Sequence, residues 1–145
     1  MNKIHVSFAV LGFSGSPQGV SDLLGIAPTE AWATGDPGLR GHPRRFARWS
    51  LASPAGETAT VEDQLTALLP LLEARAAAVA EAARRFEAGI HCAAYFRDVN
   101  PGFHLDAAMV ARVAALGLSL DFDLYCLGAP DEPGEGSGTA PGATP

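Results

Sequence analysis

Two stretches of this chain share one pattern, and the pattern limits what it can fold into. Residues 4–34 read as a strand, a Gly/Pro loop, a short helix ending at Leu24-Gly25, and a second strand. Residues 90–127 repeat that order, with a helix ending at Leu116-Gly117 and a strand after it. Two strand–helix–strand units can share one sheet and one core. The chain has 145 residues, enough to bury such a core without staples.

The periodicities fill in the elements. Ile4, Val6, Phe8 and Val10 alternate with Lys3, His5, Ser7 and Ala9, which is a half-buried strand. Val20 to Leu24 is a short helix with Gly25 as its C-terminal cap. Residues 29–34 and Trp49-Ser50-Leu51 read as strands flanking the Gly35-Asp36-Pro37-Gly38 turn. Thr60 caps a helix in which Leu65, Leu68, Leu72, Val79, Ala83 and Phe86 keep helical spacing. Pro70 either kinks that helix or starts a second one. Ile90, Cys92, Ala94 and Phe96 mark another strand, and Asn100-Pro101-Gly102 a turn. Asp106 caps a helix through Leu116, and residues 118–126 form the last strand. The order predicts an α+β fold of the ferredoxin-like two-layer type. Its sheet is mainly antiparallel with about five strands, and the helices lie on one face. Residues 1–128 form one domain. Residues 129–145, rich in Pro, Gly and acid, are expected to be a disordered tail.

Charge and composition exclude some functions. A net charge of −6 argues against a nucleic-acid binder. No apolar run is long enough to span a membrane, and the N-terminus has no signal-peptide pattern. A cytoplasmic protein with reduced thiols is expected. Cys92 and Cys126 fall on the same inward face as Phe96, Phe122 and Leu124, so both are expected in the core. Trp32 and Trp49 are expected to pack. Ser14-Gly15-Ser16 resembles a phosphate loop without its lysine, and no cofactor is implied.

Strand alternation gathers His5, Ser7, His91, Tyr95, Arg97, Asp121, Asp123 and Tyr125 on the face away from the helices. Antiparallel sheets commonly solvate one face with such residues, and the same face suits a partner. A second candidate is the basic loop with Arg40, His42, Arg44, Arg45 and Arg48, which holds four of the ten Lys and Arg residues. It suits a phosphate, a carboxylate or an acidic partner. The leading expectation is a non-enzymatic interaction or ligand-binding module that meets a protein partner or a second copy of itself. The alternative is a small metal-dependent or acid–base hydrolase using His5, His91, Asp121 and Asp123. No residue is assigned as catalytic or as a metal ligand.

Several short motifs occur in a fixed order. Leu24-Gly25-Ile26-Ala27-Pro28-Thr29 precedes Trp32 and Gly35-Asp36, and Trp49-Ser50-Leu51 leads to the leucine-rich helix. Asn100-Pro101-Gly102, Leu116-Gly117-Leu118-Ser119-Leu120-Asp121 and Asp123-Leu124-Tyr125-Cys126 follow. Over roughly residues 4–128 this series resembles the bacterial family called domain of unknown function 4279. The resemblance implies a small α+β domain that is usually a whole protein. It carries no established activity and no catalytic residues. It also raises the expectation of an immunity partner for a bacterial toxin.

Overall fold

The computed structural model describes residues 2–100 and 102–128. The expected tail at 129–145 and Pro101 of the expected turn lie outside the described residues. The chain builds strand β1 (Lys3–Leu11), helix α1 (Gln18–Leu24), β2 (Glu30–Trp32), β3 (Arg48–Ala52), α2 (Val61–Glu73), α3 (Ala76–Arg85), β4 (Glu87–Phe96), α4 (Ala107–Ala115) and β5 (Ser119–Cys126). One 3-10 turn, Leu39–Gly41, interrupts the basic loop. The five strands form one sheet in the order β2-β3-β1-β4-β5.

β1 takes the central place, pairing antiparallel with β3 on one side and β4 on the other. β2 is antiparallel to β3, but β5 runs parallel to β4. The fold is therefore α+β with a mixed sheet. The expectation of a mainly antiparallel sheet misses the β4–α4–β5 connection, where the helix carries the chain back to the starting end. In the first unit β3 inserts between β1 and β2, so the two similar stretches close differently.

The alternation in β1 is obeyed. Ile4, Val6, Phe8 and Val10 are buried under the helices. Residues of all four helices join them in one core, where α2 packs on β1, α3 packs on β4 and α1 leans on α3. Trp49 is completely buried, edge-on to Phe8, and its indole N–H donates to Ser21 Oγ of α1 at 2.9 Å. No helix among the described residues is long and apolar enough to cross a membrane.

Both expected caps are present. Thr60 accepts the Asp63 N–H at 3.0 Å, and Asp106 accepts the Met109 N–H at 2.8 Å. Pro70 neither starts a helix nor marks the break. It lies inside α2 on the exposed side, and the chain breaks later at Arg75, whose φ of −126° and ψ of 36° are not helical. An exposed proline leaves the carbonyl one turn back open to water, which limits its cost.

The inward assignment of the last strand needs correction. Cys126 pairs with Phe96 and shares the helical face with Cys92, yet it is exposed. Phe122 and Leu124 are 39% and 50% exposed. The reason is length. The nine residues of α4 span about 14 Å, while the eight of β5 span about 26 Å. Leu118 and Leu120 are covered, and among the described residues no helix lies above the far half of the strand. Phe103 stacks on Phe122 and shields part of its ring.

Of the buried polar side chains, Gln64 is the most enclosed. β3 reaches only residues Ser7 to Leu11 of β1. Beyond that point the Val6 N–H donates to Gln64 Oε1 at 2.9 Å, and Gln64 Nε2 donates to the Ile4 carbonyl at 2.7 Å and the Ala59 carbonyl at 3.0 Å. The loop after β3 completes the edge, with Ile4 N–H donating to the Glu57 carbonyl and Ser53 N–H to the Val6 carbonyl. Replacing Gln64 by Leu leaves the Val6 N–H and Ile4 carbonyl buried without partners. Gln64→Leu is expected to lose about 2–4 kcal/mol in urea denaturation, despite its apolar gain.

Candidate functional site

The sheet face away from the helices is assembled by register. Ser7 lies opposite His91, His5 opposite Ala93 and Lys3 opposite Tyr95. Across the next pair His91 lies beside Asp121, Ala93 beside Asp123 and Tyr95 beside Tyr125. The expected residues His5, Ser7, His91, Tyr95, Asp121, Asp123 and Tyr125 therefore do share one face. Arg97 lies one residue beyond β4, where it donates to the Leu127 carbonyl at 3.1 Å and helps line a shallow hollow with His5 and Tyr95.

Within that face the groups sort into separate pairs. Tyr95 and Tyr125 stack with ring centres 4.8 Å apart, and His5 meets Tyr95 edge-on. His5 Nε2 is 3.6 Å from Glu57, which Lys3 also approaches. His91 Nε2 is 3.5 Å from Asp121. His5 and His91 thus face different carboxylates, and the four residues His5, His91, Asp121 and Asp123 do not gather at one point. Among the described residues no group of three or more His, Cys, Asp or Glu side chains is placed to hold a metal ion. Ser7, His91 and Asp121 stand in a row across three strands, but no hydrogen bond joins Ser7 to His91 in that row.

His91 is half-buried, and burial pulls its pKa below the ordinary 6.5. The nearby Arg48 guanidinium acts in the same direction, and burial and Arg48 together outweigh Asp121, Asp123 and Glu87. His91 is therefore neutral at pH 7, and its contact with Asp121 is polar rather than ionic. Cys92 lies beneath the same strands. Burial, and then the charge on Asp121, push its thiol up to about 12. Such a thiol is a packing group, not a nucleophile.

Two larger hollows flank this region. One, of about 490 Å³, runs over β1 and β3 and is lined by His5, Ser7, Glu30, Arg48, Ser50 and Glu57. The other, of about 510 Å³, lies at the C-terminal end of β1. Of the expected basic loop, Arg44, Arg45 and Arg48 line this second hollow, with Trp32 and Phe46. Arg40 and His42 are not part of it. Arg40 takes a left-handed φ of 57° in the 3-10 turn. Arg48 is not a loop residue but the first of β3, so its side chain lies on the open face. Trp32 is only half-buried: Arg44 covers its ring at 3.7 Å and its N–H donates to the Phe46 carbonyl.

The profile of the family described as "Domain of unknown function (DUF4279)" matches residues 2–127, nearly the whole described fold. The chain belongs to the DUF4279 family. No curated protein and no solved structure matches it. The DUF4279 match runs from β1 through β5, so the open face and both hollows lie within the family domain.

Sequence reasoning missed Glu57 and Gln64. Both act over long sequence distances, from a loop and from a helix, and no local pattern marks either. Two measurements check the chemistry described here. The folded His91 pKa lies below 6.5, so on acidification the unfolded chain takes up this proton first. Stability should fall as pH drops from 6.5 through the folded value and level off below it. His91→Gln should flatten that slope in urea titrations, and a proton NMR titration of His91 should give a midpoint below 6.5. A thiol reagent should modify one cysteine, Cys126, in the native protein and both after denaturation.

Proposed function

We propose that this DUF4279 chain is a non-enzymatic binding module that presents the open face of its sheet to a protein partner. The observation that carries this reading is the stacked Tyr95–Tyr125 pair on a sheet face that none of the described helices covers. Tyrosine offers large, rigid contact area with a polar tip, and such residues anchor interfaces. Histidines, carboxylates and the groove along β1 and β3 surround the pair and supply a polar rim. The partner is either a second copy or a different protein, and neutralising a toxin is one form the latter would take. Two free cysteines, one of them exposed, suit a reducing compartment such as the cytoplasm.

The architecture fits this reading. Setting β5 aside, the chain runs β-α-β-β-α-β, with α2 and α3 together as the second crossover, and the strands lie in the order β2-β3-β1-β4. We read this as a ferredoxin-like two-layer sandwich to which α4 and β5 add a parallel strand. In such a sandwich one sheet face is left free by construction.

Light scattering and affinity capture test the proposal together. The wild-type chain should either self-associate or retain a specific protein, and Tyr95→Ala/Tyr125→Ala should weaken that association about tenfold or more. A monomer that retains nothing, or a double variant that behaves as wild type, removes the reading. The Ser7–His91–Asp121 row is the one observation that favours a hydrolase. Because Ser7 makes no hydrogen bond to His91, an activity probe that acylates or phosphonylates nucleophilic serines is expected to leave Ser7 unlabelled.

A further inference from the structure

Three arginines line one hollow, and no described carboxylate forms an ion pair with any of them. Arg44, Arg45 and Arg48 line the cavity of about 510 Å³ at the C-terminal end of β1. Among the described residues, the carboxylate ion pairs involve Lys3, His5, Arg84, His91 and Arg112, and none of these three arginines. Glu87 lines the same cavity without pairing to them. In a chain of net charge −6 this is a local excess of positive charge.

The excess is held in place. The Arg44 guanidinium carbon lies over the Trp32 ring, 3.7 Å from its centre, and the Arg44 stem passes Gly38 so closely that a Cβ there would sit 3.1 Å from Cδ. Arg44 Nε is buried and, among the described residues, has no hydrogen-bond partner. The loop that carries it is stitched together, with Arg44 N–H donating to the Asp36 carbonyl, Gly35 N–H to the Arg44 carbonyl and Gly38 N–H to the His42 carbonyl. Asp36 also accepts the Ala33 N–H. The guanidinium is thus positioned by packing before any ligand arrives, which lowers the ordering cost of binding. Beside it, Phe46 is 73% exposed, a free aromatic ring at the cavity wall.

We propose that this cavity binds a phosphate monoester that carries a planar ring. The phosphate faces the arginines and the ring stacks on Phe46. Guanidinium forks match phosphate oxygens in geometry. A phosphate monoester brings about two negative charges and three terminal oxygens. A carboxylate brings one charge and two oxygens, too few for three guanidinium groups with Glu87 alongside. The volume suits a small organic ligand.

Calorimetric titration with phenyl phosphate, inorganic phosphate and benzoate at fixed ionic strength tests this. Phenyl phosphate should bind saturably, about tenfold or more tighter than either of the others. Emission from Trp32 should change with occupancy, because Trp49 is sealed in the core. Arg44→Gln and Arg45→Gln should each weaken binding about tenfold. The exposed Arg45 makes the second variant informative even if the first disturbs the loop. The charge-matched Arg112→Gln, on the helical side, should bind as wild type. Absence of saturable binding, benzoate binding as tightly as phenyl phosphate, or equal weakening by Arg112→Gln would each overturn the proposal.

Discussion

β1 lies at the middle of the sheet, yet a strand pairs with it along its full length on only one side. β4 covers that side from Lys3 to Leu11, while β3 stops at Ser7 on the other. The gap is filled by the amide of Gln64, which reaches from α2 to meet the Val6 N–H and the Ile4 carbonyl. A buried donor and acceptor left bare would cost more than most single contacts supply. The amide therefore ties the helical layer to the sheet at one fixed register. That register decides which side chains of β1 go under the helices and which stay on the open face. The site follows from this tie, because His5 and Ser7 are on the open face only while Val6 and Ile4 are held beneath α2.

The same fixed register explains why the open face behaves as a set of pairs. Each polar residue finds its neighbour across one strand gap, as His91 does with Asp121 and Tyr95 with Tyr125. Glu57, from the loop that completes the β1 edge, supplies the acid for His5. Arg48 joins the two hollows, lining both and acting on the pKa of His91. On the helical side, Arg112 makes a two-pronged contact with Glu73 that binds α4 to α2 and holds the Glu73 carboxyl below its usual range.

Local signals in the sequence carried much of the fold. The alternation in β1, the glycine cap at Gly25, and the caps at Thr60 and Asp106 each depend on residues close together in the chain, and each is present. Face assignment was also legible, so seven of the eight open-face candidates lie on that face within the paired strands. Coverage was not legible. Alternation says which side Phe122, Leu124 and Cys126 point to, but not that α4 is too short to reach them. The parallel placement of β5 and the insertion of β3 beside β1 are pairing choices made across the whole chain. The basic loop was visible as composition, but the placement of Arg44, Arg45 and Arg48 along one cavity depends on where β3 begins.

Among the described residues the sheet ends at β2 and β5, and each edge disfavours further growth for a different reason. β2 is three residues long, too short to template another strand. β5 is long and partly uncovered, and its backbone could accept a neighbour. It carries Asp121 and Asp123 on one face, however, so a second β5 laid against it would crowd carboxylates from both copies together. The exposed Phe122 and Leu124 would otherwise make this edge prone to aggregation. The alternating acids that look like ordinary surface charge thus act as a stop on edge-to-edge assembly.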